Sequence, residues 1–190
     1  ELIIAANDQI VFSSDADAPT VCESVDDKCS CFNRLVAHLK NDVSEGDQRA
    51  IIRALSSQYG LDLAELANQE MMTWDEVREL ASDPLVTIGA HTHDHFALAR
   101  LTEDAARQDI EKGLERLEAE LGQRPKHFAY PYGKHNAVDA GAAEVVGKFG
   151  FASAVTTFPG VLQSASARDL MLLPRVSLNG VYQDPAFVDQ

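Results

Sequence analysis

The chain has 190 residues, 45% apolar and 24% charged, which excludes wholesale disorder and leaves room for one domain, or one compact domain with an appendage. Sixteen Lys and Arg against thirty Asp and Glu give a formal charge of −14, which argues against nucleic acid and an anionic membrane surface as partners. No apolar run is long enough to span a bilayer and no basic-then-apolar layout opens the sequence, but Glu1 leads straight into an apolar run, as in a chain cut from a longer one, so localisation stays open.

The apolar runs Leu2–Ala6 and Ile10–Phe12 flank Asn7-Asp8-Gln9 and predict a short hairpin. Ser13 to Asp27 is acidic, contains Pro19 and reads as an exposed loop. Cys22, Cys29 and Cys31 lack the spacing of a four-ligand zinc site; they read as three thiols, with a single disulfide as the alternative. Phe32, Leu35, Val36 and Leu39 recur at helical spacing, as do Ile51, Ile52, Leu55 and Tyr59, which Gly60 stops. Leu61 to Met72 reads as helical, and Thr73 is placed to cap a further helix from Trp74 to Leu80.

From Leu85 the rhythm changes. Leu85–Ile88 predicts a short strand, broken at Gly89, that leads into His91–His95. Leu101-Thr102-Glu103-Asp104 opens the clearest helix, with the stripe Ala106, Ile110, Leu114, Leu117 and Leu121 and a stop at Gly122. A strand at His127–Tyr130, a turn at Pro131-Tyr132-Gly133, a helix near Ala137–Lys148 and a strand at Phe151–Thr157 follow. Leu172–Leu178 predicts a last strand, interrupted by Pro174. This alternation predicts an α/β parallel sheet or barrel over residues 73–190, with a hairpin and an acidic helical insertion over residues 1–72.

The strongest chemical signal is His91-Thr92-His93-Asp94-His95. Two histidines four apart face one way on a helical turn and can grip one metal ion. Three of the six histidines fall within these five residues, just after a strand, which favours a metal site over a merely polar loop. His93 points away and reads as a surface residue, and Asp94 as a side chain that orients a ligand. A third ligand must come from elsewhere.

Thr87-Ile88-Gly89-Ala90-His91-Thr92 through His95-Phe96-Ala97-Leu98 resembles the metal-binding motif of the polysaccharide deacetylases, the NodB-homology or carbohydrate esterase family 4. Phe128 to Gly133 resembles that family's Pro-Tyr-Gly segment, Gly150 to Thr157 the strand that follows, and Leu173-Pro174-Arg175-Val176 a late strand of one subgroup. The likeness spans roughly Met72 to Gly180. It implies an incomplete, distorted (β/α) barrel with its site at the C-terminal strand ends, and metal-dependent hydrolysis of N-acetyl or O-acetyl groups on an acetylated glycan. His91 and His95 would be ligands to a divalent cation, zinc in the first place, with cobalt, nickel or iron able to take the same site. Tyr132 would offer a backbone N–H to the oxyanion, Tyr130 and Pro131 would face substrate, and Arg175 is the candidate charge partner for the base.

The departures are as specific. The family's Asp-Asp motif supplies base and third ligand; Asp26-Asp27 is the only adjacent Asp pair and reads as a solvated loop. The expectation is therefore that the motif lies upstream of Glu1, and that this C-terminal part alone is a poor catalyst. Ala129 stands where many relatives carry Arg, and the family's late Leu-His pair has no match in residues 160–190; His127 and His135 correspond only by type. Two alternatives stay open: an inactive deacetylase-like module that binds carbohydrate or protein, and an amidohydrolase acting on small cyclic amides.

Overall fold

The structure, a computed structural model, describes residues 1–12, 19–162 and 170–176. The chain divides into two units, Glu1–Thr73 and Trp74–Gln190.

In the first unit, Leu2–Ala6 is helix α1, not a strand. Periodicity cannot separate helix from strand over so short an apolar run, and the Asn7 side chain donates to the Ile3 carbonyl at 2.8 Å to hold the helix end. Strand β1, Gln9–Ile10, pairs antiparallel with β2, Thr20–Val21, so the hairpin forms with a later partner than predicted. Helix α2, Val25–Asn41, begins within the expected loop. Ser24 accepts from the Asp27 N–H at 3.1 Å, while the Asp27 carboxylate accepts from the Ser24 N–H at 3.1 Å and the Ser24 hydroxyl at 2.6 Å. Asp26-Asp27 is therefore the first turn of a helix, and the Ser24 hydrogen bonds hold Asp27 below the ordinary carboxylate range.

Helix α3 is Glu45–Gln58 and helix α4 is Leu63–Glu70, capped by Ser44 and Asp62. Ile4, Ile10, Cys22 and Cys31 form a small core with Phe32 and Tyr59 packed against it. The three cysteines are thiols without a disulfide, Cys29 exposed. Burial, and then the hydrogen bond to Cys22, pushes the Cys31 thiol up to about 11.

The second unit opens with helix α5, Trp74–Ser82. The predicted strand at Leu85–Ile88 does not form. Asp83 turns the chain there, its carboxylate accepting from the Leu85 N–H at 2.8 Å and its carbonyl from the Val86 N–H at 3.0 Å. Pairing starts only at Ala90, which bridges Phe128 in parallel. Strand β3, His127–Ala129, pairs parallel with β4, Ser153–Val155, and Val155 bridges Leu173 in parallel. Ser177 and Leu178 of the last predicted strand lie outside the described residues.

Helix α6, Glu103–Leu121, crosses from Ala90 to β3, and helix α7, Ala140–Gly147, from β3 to β4. Thr102 caps α6 and Gly122 closes it with φ +70°. Asp139 starts α7 three residues later than predicted by accepting from the Ala142 N–H at 2.8 Å. Ile110 and Leu114 of α6 and Val146 of α7 bury against Phe128 and Ala154. The unit is thus mixed helix and parallel strand, and no closed sheet forms among the described residues. No helix among them is long and apolar enough to cross a membrane.

Candidate metal centre

Because the strand positions are parallel, the residues that follow Ala90, Ala129, Val155 and Leu173 emerge at one end of the small sheet. His91–His95, Tyr130–Gly133, Thr156–Phe158 and Pro174–Arg175 therefore belong to the same rim, where α/β folds place their sites.

His91–His95 is not a helical turn. Thr92 and His95 adopt left-handed backbone, with φ +61° and +58°, and this folding of the loop brings the two imidazole centroids to 4.8 Å, edge to face. The His91 Nδ1 lies 2.6 Å from the Ala129 carbonyl oxygen. A carbonyl only accepts, so Nδ1 carries the proton and Nε2 keeps the lone pair a metal ion needs. The Thr92 hydroxyl accepts from the His95 N–H at 3.0 Å. The two rings are thus in contact, and His91 Nε2 is left as an atom that could ligate a divalent cation.

The neighbouring loop carries the same kind of strain. Tyr132 has φ +59°, and the Gly133 N–H closes a tight turn on the Pro131 carbonyl at 2.6 Å. Thr157 pins this turn from the end of β4, its N–H donating to the Gly133 carbonyl at 2.9 Å and its hydroxyl to the Tyr132 carbonyl at 3.0 Å. A Cβ on Gly133 would stand 2.6 Å from the Thr157 nitrogen, so the contact requires glycine. The Tyr132 ring comes to 4.9 Å from the His95 ring, edge to face. Thr92, His95 and Tyr132 are the non-glycine residues of positive φ among the described residues, and all three lie in these two loops.

Tyr130 and Pro131, expected to face substrate, are buried in this structure. Tyr130 is 1% exposed, packs edge to face on Phe128 at 5.2 Å and donates its hydroxyl to the Met171 carbonyl at 2.8 Å. Pro131 is likewise fully buried. Tyr130 belongs to the core of this unit, on the same side of the strand line as Phe128. Arg175 is exposed; its Nε donates to the Thr156 carbonyl at 2.7 Å, and it makes no ion pair among the described residues. His127 sits at the opposite end of β3, 2.9 Å from the Ser153 hydroxyl, while His135 stacks on Phe158 at 3.8 Å.

On its other side the His91–His95 loop rests on α6. The Asp109 carboxylate accepts from the Asp94 N–H at 2.7 Å, and the Asp109 carbonyl from the His93 N–H at 3.1 Å. His93, Asp94 and Asp109 bring one ligand atom each within 4.8 Å of one another, the one three-ligand group among the described residues, and it excludes His91 and His95. The Asp94 carboxylate faces His93 Nδ1 at 3.5 Å. Asp109 escaped the sequence reading, although a signal was present: an acid three residues after Ala106 falls within the buried stripe of α6. An open cleft of about 330 Å³ runs alongside, lined by Trp74, His91, His93, Arg116 and Leu117 among others, with the Arg116 guanidinium 4.8 Å above the Trp74 ring.

The model of the polysaccharide deacetylase family matches residues 48–152. Among solved structures, the chain is similar to a Streptococcus pyogenes deacetylase, PplD, in complex with acetate, at a TM-score of 0.52 and 18% identity over 67% of this chain and 57% of that one. It is similar also to a de-N-acetylase from Aggregatibacter actinomycetemcomitans, at a TM-score of 0.52 and 17% identity over 63% of this chain and 52% of that one. The chain thus spans a little over half the length of each. At such identities the likeness is one of fold. Comparison with curated proteins finds no match.

Proposed function

The chain belongs to the polysaccharide deacetylase family, and from that membership we propose that it hydrolyses acetyl groups on a glycan, with His91 and His95 as ligands to a divalent cation, zinc in the first place. The observation that carries this reading is the convergence of the two imidazoles, with His91 oriented by the Ala129 carbonyl. A divalent cation held there would polarise an acetyl carbonyl and make water more acidic. The third ligand and the general base are carboxylates outside the described residues in this proposal.

The chain's own residues have distinct tasks. Tyr132 offers its backbone N–H to the developing oxyanion, and its half-exposed ring, beside His95, is the surface on which a sugar can stack. Arg175, fixed through Nε on Thr156, orients the base with its terminal amino groups. We place residues 73–190 in a (β/α) barrel segment. Its strand positions run side by side in chain order, with α6 and α7 as the first two crossovers, whereas a doubly wound sheet reverses that order.

Acetate release from N-acetylglucosamine oligosaccharides in the presence of zinc tests the proposal. The expected result is slow release, because the base lies outside the described residues, that the double variant His91→Ala/His95→Ala abolishes. Release that the double variant retains overturns it, and oligosaccharide binding without release points instead to an inactive carbohydrate-binding module.

A further inference from the structure

We propose that Asp109 is a positioning residue for the His91–His95 pair, acting through the main chain of the loop between them; this rests on the reading of that pair as cation ligands. The loop must turn back within five residues to bring its rings to 4.8 Å, and it does so through left-handed backbone at Thr92 and His95. Residues with a Cβ resist that conformation, so the shape persists only where contacts hold it. The ends are held by the Ala129 carbonyl on His91 and the Thr92 hydroxyl on His95.

Asp109 holds the middle. Its carbonyl takes the His93 amide and its carboxylate the Asp94 amide, two consecutive donors gripped by one residue of α6. That fixes both the height and the twist of the loop above the helix. The second bond is short, 2.7 Å. Asp109 is only 4% exposed, and its other carboxylate oxygen, Oδ2, is buried with no hydrogen-bond partner among the described residues. A carboxylate in an apolar stripe is costly to bury, and an apolar side chain would pack the helix better. Its place there is explained by the loop it grips.

Gly113, one turn further along α6, makes an independent part of the same clamp. A Cβ at that position would stand 2.7 Å from the carbonyl carbon and oxygen of Thr92 and 3.0 Å from the His93 nitrogen. The bare helix surface is what lets the loop descend far enough for its amides to reach Asp109.

Calorimetric titration of the whole chain with zinc alone tests the proposal. Asp109→Ala is expected to weaken zinc binding about tenfold or more, whereas Asp109→Asn, which keeps an acceptor for the Asp94 amide, stays closer to the parent. Leu114→Ala, a cavity on the same buried face, is expected to lower the melting temperature without moving zinc affinity. Gly113→Ala favours the helix but lifts the loop, so it is expected to weaken zinc binding with Asp109 intact; this keeps the test decisive if Asp109→Ala does not fold. Unchanged affinity in Asp109→Ala or in Gly113→Ala, or equal losses in Leu114→Ala and Asp109→Ala, overturns the positioning role alone. A parent chain that binds no zinc, or binds it equally after His91→Ala/His95→Ala, overturns the reading of the pair and the positioning role with it.

Discussion

Both units cap helix starts with acids, and the second adds a buried acid, Asp109, that grips a distant loop. In Glu1–Thr73, Asp27 and Asp62 lie at helix starts and accept from amides no more than three residues away. In Trp74–Gln190, Asp109 is buried in mid-helix and accepts from amides fifteen and sixteen residues back, at Asp94 and His93. Local capping serves the element to which it belongs. A buried acid that reaches across the fold serves something else, and here it meets the loop that carries the two converging imidazoles. Backbone strain follows the same division: the left-handed non-glycine residues among those described, Thr92, His95 and Tyr132, all lie in the second unit.

The contrast can be broken first at the larger core. Phe128 is 2% exposed and touches both Tyr130 and Phe151, so Phe128→Ala is expected to cost about 3–5 kcal/mol. Urea unfolding followed by the fluorescence of Trp74, the single tryptophan, reads this directly, and a loss under about 1 kcal/mol would contradict a well-packed core.

The smaller core should respond to alkali. The Cys31 thiol, faced by Cys22 and Arg34, is pushed to about 11 from an ordinary 9.0. A raised thiol pKa means that the folded state holds its proton more tightly. That contribution is whole below about pH 9 and is lost as pH rises to about 11. The helical circular dichroism of the parent should therefore lose more stability across that window than that of Cys31→Ala; equal losses would place the thiol outside the core.

The smallest effect belongs to the strained rim. Tyr132→Gly removes a left-handed tyrosine and should stabilise the fold by roughly 1 kcal/mol, while deleting the ring beside His95. A loss of stability in thermal unfolding would show that packing by the ring outweighs the strain.

What the sequence made legible divides along the same line of local against distant. Thr102 and Gly122 bound α6 as expected because caps are written within a few residues of the helix they close. The alternation of α6, β3, α7 and β4 was equally readable. Leu85–Ile88 misled because the Asp83 side chain and carbonyl capture two amides that a strand would need. Asp26-Asp27 misled in the other direction, since the Ser24 capping box precedes only a weakly apolar run. Tyr130 matched a motif, but its burial depends on Phe128 and Met171, contacts no local pattern encodes. Asp109 belongs to the same class: its position in the stripe was visible, its partners were not.

The central claim is that His91 and His95, and not the adjacent His93–Asp94–Asp109 group, hold the divalent cation. One measurement addresses it most directly: zinc titration of the chain by calorimetry beside His91→Ala/His95→Ala and His93→Ala. One zinc per chain, lost in the double variant and retained in His93→Ala, is the expected result. Binding that survives in the double variant and disappears with His93→Ala would contradict it.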